Sequence, residues 1–250
     1  MKTHFFLFLA FTAAVFAFMS CSSSSVKTGW DDYQLKGKVK ELHTKHYNAK
    51  MKFGELTKGK ITGSSDIYFS EEGRIEKVVF TDFFESIYSY EDNVCTIDQY
   101  LLLSGNKELS SKIKIITDDK GYPLTQTSYN EDGTENNERT EYVYDEKKQL
   151  KEVNMYKNNE LQSKIKCFDY NSLGKSEKMI EYDEKGNEKE VYFITYTKDG
   201  FMESLTRKWK KSEETVKYSY QLDSRGNYIE CVIKEEGSKG RFEEREIVYY

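Results

Sequence analysis

A short turn motif repeats along most of the chain and constrains its fold more than any other feature of the sequence. In each copy an aromatic residue is followed by a polar stretch that ends in Gly. Asp or Asn at the start of the stretch nucleates a turn, and Gly supplies the positive φ that a short hairpin loop needs. The copies lie at residues 69–73, 129–133, 170–174, 182–186 and 196–200, with degenerate copies at 144–148 and 220–226.

The spacing of the turns gives the size of the repeating unit. Two series of turn positions each recur about every 26 residues. Two turns per period mean two strands per unit, so a strand with its turn takes about 13 residues, as in a meander of antiparallel hairpins. The first series is Gly121, Lys148, Gly174, Gly200 and Gly226; the second is Gly133, Glu160 and Gly186, with Gly237 near two further periods on.

The composition is typical of a folded β-protein. The 250 residues are 37% hydrophobic, 15% aromatic and 32% charged, which is too apolar and aromatic for a disordered chain. The single proline, Pro123, suits a continuous sheet because proline breaks strand ladders. The net charge is −5, with acidic and basic residues interspersed. Without a basic stripe, we expect no nucleic-acid partner.

The strands before the turns indicate how the sheet is buried. Aromatic and β-branched residues recur two apart and therefore share a face, while Lys, Glu, Thr and Ser occupy the alternate positions. The sequence predicts an all-β fold, a long antiparallel hairpin meander of about 15 strands. So broad a sheet must curl into a barrel-like or half-barrel shape to bury its aromatic face, with two stacked sheets as the alternative. We expect the buried face to include Tyr144, Tyr170, Tyr182 and Tyr220.

Two further predictions concern individual segments. Leu101, Leu102 and Leu103 form a run that is apolar on both faces, so this strand is expected to be covered on both sides. Outside the N-terminal region, the chain contains three cysteines, Cys95, Cys167 and Cys231. An exported protein permits disulfides, but the places of these cysteines in the repeat differ, and buried free thiols are the favoured interpretation.

The N-terminus has the features of an export signal. Lys2 is followed by an apolar run of signal-peptide length, which predicts that residues 1–20 are removed. The run ends at Cys21, in a sequence similar to a bacterial lipobox, so we expect acylation of Cys21 and attachment to the membrane through lipid. A plain secretory peptide is the alternative. Residues 21–29 are predicted to form a flexible tether, and residues 30–250 a single β domain.

The turn units resemble the YD repeats of the RHS family over roughly residues 66–250. They are also similar to a group of Gram-negative envelope lipoproteins of uncharacterised role, whose closing pattern resembles residues 223–228 and 245–250. That resemblance implies a porin-like, curled antiparallel sheet in the cell envelope, with the outer membrane as the expected location. It does not imply a toxin role, because this chain has neither the length nor the cargo domain of RHS toxins.

Several segments imitate functional motifs without completing them. Residues 54–60 resemble a P-loop, but Ile61 stands where the magnesium-binding hydroxyl belongs. His43 and His46 are three apart, so on a strand they face opposite sides and do not share a metal. Residues 130–136 offer oxygen ligands but lack the order of an EF-hand, and turn chemistry explains them. We therefore expect no metal site, no cofactor and no catalytic residue.

The aromatic residues leave room for a binding function. Trp30, Trp209 and the tyrosines either form only a core or also hold a glycan, a peptide or an apolar ligand. The favoured prediction is a non-enzymatic envelope lipoprotein that acts as a scaffold or binding surface. Two alternatives remain. A glycan-acting hydrolase predicts a carboxylate-lined cleft, and a carrier predicts a continuous apolar cavity.

Overall fold

The fold is a closed antiparallel barrel. The computed structural model describes residues 26–81, 83–103, 106–235 and 240–250. Within these residues sixteen strands follow one another in sequence order, and β1 pairs with β16 to close the sheet. The predicted hairpin meander is confirmed, and the sheet is closed. The elements are α1 Gly29–Asp32, β1 Val39–Lys52, β2 Glu55–Phe69, β3 Ile75–Phe80, β4 Phe84–Glu91, β5 Val94–Leu103, β6 Asn106–Thr117, β7 Pro123–Asn130, β8 Glu135–Tyr144, β9 Leu150–Lys157, β10 Glu160–Tyr170, β11 Ser176–Asp183, β12 Glu188–Tyr196, β13 Met202–Trp209, β14 Ser212–Leu222, β15 Tyr228–Glu235 and β16 Arg241–Tyr249.

The two turn series lie at opposite ends of the barrel. Because consecutive strands alternate in direction, every second turn reaches the end at which β1 begins, here called the entry end; the others reach the far end. The entry-end turns of the first series share one hydrogen-bond pattern, in which the first N–H donates to the fifth carbonyl and the fourth N–H to the first carbonyl. They are residues 118–122, 145–149, 171–175, 197–201 and 223–227, joined by 70–74.

The second series occupies the far end. Residues 130–134 and 183–187 show the same hydrogen-bond pattern. Glu160 begins β10 directly after the two-residue turn at 158–159. The remaining member, Gly237, lies outside the described residues.

The N-terminal segment crosses the entry end. Residues 27–36, here called the plug, include α1 and hydrogen-bond to three of the turns. The Lys27 N–H donates to the Lys120 carbonyl over 2.8 Å and the Gly29 N–H to the Gly73 carbonyl over 2.8 Å. The Lys36 N–H donates to the Asn227 side chain over 2.6 Å. Residues 27–29, at the end of the predicted tether, are thus packed against the barrel, Val26 is exposed, and residues 21–25 lie outside the described chain.

The interior face of the barrel can be followed from strand to strand. Residues opposite one another in an antiparallel pair share a face, and Leu42 lies opposite Ile67, which lies opposite Val78. All three are buried. This face is the interior, because a single closed sheet has no other surface that excludes water. The interior also carries a second cluster on β8 to β12, formed by Tyr142, Leu150, Val153, Cys167, Met179, Tyr192 and Ile194.

The prediction that four tyrosines are buried on one face is wrong for Tyr182. Its ring lies on the outward face, with the Lys166 Nζ 5.7 Å from the ring centroid. Tyr182 precedes a far-end turn, whereas the other three tyrosines precede entry-end turns. The same place before a turn therefore faces the other side of the sheet. The other three, Tyr144, Tyr170 and Tyr220, are half-buried, which is less than expected.

The run of leucines in β5 is not covered on both sides. Leu101 and Leu102 are half-buried, and the side chain of Leu103 is 52% exposed. The prediction fails because the barrel wall is a single layer, so nothing covers its outward face. The prediction for the cysteines is confirmed, since Cys95, Cys167 and Cys231 are free and buried.

Candidate functional site

The interior of the barrel is divided along its axis. Its half towards the entry end is apolar and aromatic, and the plug packs on it through Trp30, Tyr33 and Leu35. Charged residues lie nearer the far end on β11 to β13 and towards the middle of the barrel on β16. These residues, here called the charged band, are Glu181, Glu190, Arg207, Glu243 and Arg245.

An ion pair on β12 and β13 forms the first part of the charged band. The Arg207 guanidinium donates to both carboxylate oxygens of Glu190, over 2.6 and 2.5 Å. The Tyr192 hydroxyl also donates to this carboxylate. Arg207 further stacks on Trp209, 4.8 Å from its ring centroid. A bidentate pair of this kind is strong and fixes the orientation of both side chains.

The partners of Glu190 determine its protonation. Burial alone would raise the pKa of the Glu190 carboxyl, but the hydrogen bonds from Arg207 and Tyr192 outweigh burial and hold this pKa below its ordinary value. The pKa of Tyr192 is raised, first by burial and then by its hydrogen bond to Glu190. Glu190 is therefore an anion at neutral pH, and Tyr192 is a neutral hydrogen-bond donor.

A second carboxylate lies directly opposite Glu190 on the neighbouring strand. Glu181 of β11 is the register partner of Glu190, so the two carboxylates share the interior face. Glu181 is buried and accepts a hydrogen bond from the Lys189 Nζ over 2.5 Å. Each carboxylate of this close pair thus has its own cation, which offsets their mutual repulsion.

The β16 part of the charged band is built around an aromatic ring. Arg245 stacks on Tyr228 with its guanidinium carbon 3.6 Å from the ring centroid. Its Nε donates to Glu243 over 3.1 Å, and the Tyr228 hydroxyl donates to the same carboxylate oxygen over 2.6 Å. The His46 Nδ1 lies 3.8 Å from the other oxygen of Glu243. This network satisfies its own buried charges, as a structural network must.

The charged band lacks the protonation pattern of a glycosidase. A carboxylate pair that hydrolyses glycosides needs one acid with a raised pKa beside an ionised partner. Here Glu190 has a lowered pKa, and both Glu190 and Glu181 are held by cations. The charged band thus differs from a carboxylate pair that transfers protons.

The incomplete motifs are each accounted for by the structure. His43 faces outward and bonds to Asp66 over 2.7 Å, whereas His46 faces inward. Residues 55–60 of the P-loop imitation lie within β2. In the turn at residues 130–134, Asp132 accepts hydrogen bonds from the N–H and hydroxyl of Thr134, over 2.9 and 2.6 Å. Across the described ranges, no group of three or more His, Cys, Asp or Glu side chains could hold a metal ion.

The structure describes both tryptophans but not Cys21. Trp30 belongs to the plug, where its indole N–H donates to the Val39 carbonyl over 2.8 Å. Trp209 lies in the charged band's half of the barrel. Cys21 lies outside the described residues, so its acylation stays a prediction.

The charged band was not foreseen from the sequence. Glu190, Arg207, Glu243 and Arg245 alternate with charged residues that face outward, such as Lys208 and Glu244. Near the far end both faces of the strands are polar, so alternation alone does not distinguish inward from outward positions. The pairing of strands distant in sequence supplies that information.

The comparisons with known proteins support the fold. No family model matches the chain, and no curated protein matches it. Among solved structures, a porin-like protein from Bacteroides uniformis matches with a TM-score of 0.60 and 14% identity, over 85% of this chain and 98% of that chain. A porin-like protein from Bacteroides vulgatus matches with a TM-score of 0.43 and 10% identity, over 85% and 99% of the two chains.

A third match is to a toxin assembly. The Photorhabdus luminescens Tc holotoxin pore matches with a TM-score of 0.29 and 12% identity, over 85% of this chain but only 12% of that chain. Of the three structures, only the Bacteroides uniformis protein is similar enough to support a common barrel fold. Among the described residues, no helix is long and apolar enough to cross a membrane.

Proposed function

We propose that the protein is a non-enzymatic, lipid-anchored scaffold of the cell envelope, built from YD-like hairpin repeats. Export and acylation at Cys21 are supported by the apolar segment that precedes this residue. The outer membrane is the proposed location, with the barrel facing either the periplasm or the outside. Binding of a glycan or peptide is assigned to the charged band, where Trp209 and the fixed guanidinium of Arg207 offer stacking and hydrogen bonding.

The position of the plug carries this proposal. The described chain begins at Val26 and meets the entry end at once, through the bond between Lys27 and Lys120. The five residue steps from Cys21 to Val26 span at most about 17 Å. An acylated Cys21 would therefore hold the entry end close to the membrane and direct the far end, with its charged band, away from it.

The aromatic half of the interior supports a structural role. It is packed with side chains of the barrel itself and covered by the plug. A carrier of an apolar ligand would instead need this half to be a continuous cavity. The apolar half is therefore assigned to stability, and recognition to the polar half.

The lipid anchor is tested by replacing Cys21 with Ala. The wild-type chain is expected to lose residues 1–20 and sediment with the membrane fraction. The variant is expected to remain unacylated and to be absent from the processed, membrane-bound form. Metabolic labelling with a fatty acid and mass spectrometry of the N-terminus would check both. An uncleaved wild-type precursor, or a processed wild-type chain without a fatty acid on Cys21, would contradict the lipobox.

The glycan hydrolase is the second candidate, favoured only by the opposed carboxylates of Glu181 and Glu190. It predicts release of reducing ends from envelope or dietary glycans and loss of this activity in Glu190→Gln. The scaffold predicts glycan binding without cleavage by the wild-type protein. Calorimetric titration and a reducing-end assay on the same glycan panel would separate the two functions.

A further inference from the structure

The β1–β2 hairpin extends beyond its neighbours at the far end. These are the two longest strands of the barrel, with 14 and 15 residues. On one side, pairing of β1 with β16 ends at Asn48, and the Ala49 N–H makes one more bond, to Gly240. On the other side, pairing of β2 with β3 ends at Ser65. In the described chain, residues 50–57 therefore form a two-stranded ribbon without lateral strand partners.

The ribbon ends in an exposed aromatic side chain. Phe53 is 96% exposed, although a Phe is ordinarily buried. Met51 and Leu56 are directly opposite each other and give one face of the ribbon an apolar character. The neighbouring β2 to β5 sector of the far end adds further exposed apolar residues, namely Ile61, Phe80, Phe83 and Leu103.

The turn chemistry at Phe53 conflicts with local preference. Phe53 and Gly54 both have positive φ, 51° and 86°, as in a type I′ turn. Such turns favour Asn or Asp at the first position, and a bulky aromatic there is strained. The other described two-residue turns have polar residues at these positions: 92–93 is Asp-Asn, 158–159 is Asn-Asn and 210–211 is Lys-Lys. A residue that breaks a local rule without a packing gain points to a functional role.

The charges around the tip favour an anionic partner. Lys50, Lys52 and Lys60 are exposed on the hairpin, and Glu55 is the one acid between residues 50 and 60. Lys52 also lies beside the aromatic ring, with its Nζ 5.7 Å from the Phe53 centroid. Two other far-end turns, at residues 130–134 and 183–187, carry Glu131, Asp132 and Glu184, whereas the turn at residues 210–211 is Lys-Lys. The hairpin tip differs from all three in combining lysines with an exposed aromatic side chain.

We propose that the tip of the β1–β2 hairpin is a membrane-docking element that inserts Phe53 into the interface of an anionic lipid bilayer. An apolar tip flanked by lysines matches such a surface, because the ring and Met51 enter the acyl boundary while the lysine ammonium groups reach the phosphates. The hairpin and residue 26 lie at opposite ends of the barrel. With an anchor at Cys21, the hairpin would face a bilayer other than the anchored one.

The decisive variant is Phe53→Asn. It removes the aromatic side chain and creates an Asn-Gly type I′ turn, which is locally better than Phe-Gly, so the fold is retained or stabilised. The test uses chains that start at Ser22, which keep every described residue and carry no acyl group, so its result does not depend on the anchor. Co-sedimentation is measured with vesicles of phosphatidylglycerol and phosphatidylethanolamine in equal parts, and with vesicles of phosphatidylcholine.

The wild-type protein is expected to bind the anionic vesicles and to bind phosphatidylcholine much more weakly. Phe53→Asn should weaken binding on the order of tenfold, as expected for the loss of one buried aromatic side chain. Lys50→Gln and Lys52→Gln should each weaken it on the order of fivefold, on the anionic vesicles only. Added salt should weaken wild-type binding.

Phe193→Asn is the matched control. Phe193 is also an exposed Phe between two lysines, with the Nζ atoms of Lys178 and Lys208 6.0 and 5.4 Å from its ring, but it lies in the barrel wall. Its replacement should leave vesicle binding unchanged. The proposal is overturned if the wild-type chain does not bind the anionic vesicles, or if Phe53→Asn and Phe193→Asn bind equally well. A cross-linker at position 53 that captures a protein in the absence of vesicle binding would also overturn it.

Discussion

At the residue scale, the fourth residue of each five-residue turn has a left-handed backbone, with a positive φ. Gly186 has a φ of 82° at this position, and a Cβ there would meet no atom within 4 Å. Lys148 adopts the same region, with a φ of 61°, in the copy without Gly. A side chain at position 186 would therefore meet no steric clash. The loss of stability on replacing Gly186 should come from the strained backbone conformation alone.

Gly186→Val is expected to lower the free energy of unfolding by about 1–2 kcal/mol, because a β-branched residue is strained at positive φ. Lys147→Val, at an exposed turn position whose copy already lacks Gly, should cost much less. Urea denaturation of the two variants beside the wild-type chain gives both values. Equal costs would mean that the Gly spacing does not mark left-handed turn positions.

At the scale of the hairpin, a tyrosine in the strand before an entry-end turn hydrogen-bonds through its hydroxyl to the strand that precedes it. It donates to the carbonyl of the residue that begins the preceding strand: Tyr90 to Ile75, Tyr170 to Leu150, Tyr196 to Ser176 and Tyr220 to Met202. Tyr144 has the equivalent place in β8. Its buried hydroxyl has no hydrogen-bond partner among the described residues.

The two kinds of tyrosine predict opposite effects of removing the hydroxyl. Tyr220→Phe loses a 2.7 Å bond to the Met202 carbonyl and should lower the free energy of unfolding by about 1 kcal/mol. Tyr144→Phe removes an unsatisfied buried hydroxyl and should be neutral or stabilising by up to about 1 kcal/mol. Thermal denaturation of the matched pair checks the difference. If both variants lose stability equally, the hydroxyl of Tyr144 has a partner in solution.

At the scale of the whole molecule, the plug joins parts of the chain that are far apart in sequence. The Asn227 side chain accepts from the Lys36 N–H over 2.6 Å and donates to the Lys36 carbonyl over 2.9 Å, across 191 residues. The same side chain donates to the Tyr249 hydroxyl over 2.8 Å. One fully buried amide thus holds together the plug, the last entry-end turn and β16, so closure of the barrel and docking of the plug should be cooperative.

Gly73→Ala tests the packing of the plug. Gly73 has a φ of 83°, and a Cβ there would lie 2.6 Å from the Trp30 ring, whereas Gly133 has a φ of 82° and open space. Gly133→Ala should cost about 1 kcal/mol from backbone strain alone. Gly73→Ala should cost about 2–4 kcal/mol, because Trp30 must also move. In a Trp30→Ala background this excess should disappear, as a double-mutant cycle by urea denaturation would measure. Equal costs at both glycines would contradict the packed plug.

The local part of this fold is determined by the sequence. A turn such as residues 183–187 is specified by its own residues. The Asp183 carboxylate accepts hydrogen bonds from the N–H groups of Lys185 and Asn187, and Gly186 adopts the positive φ. Strand number, turn positions and the period of about 26 residues follow from such short-range interactions. These features can therefore be predicted from the sequence without knowledge of any tertiary contact.

Only the tertiary structure decided closure, the plug and the direction of individual side chains. The pairing of β1 with β16 and the bonds of Asn227 join residues about two hundred positions apart, which no local pattern encodes. The left-handed backbone of Asp169, with a φ of 51°, turns Tyr170 towards the interior while Phe168 stays outside under Lys178. For the charged band, both strand faces near the far end are polar, so its inward side is set by strand pairing rather than by composition.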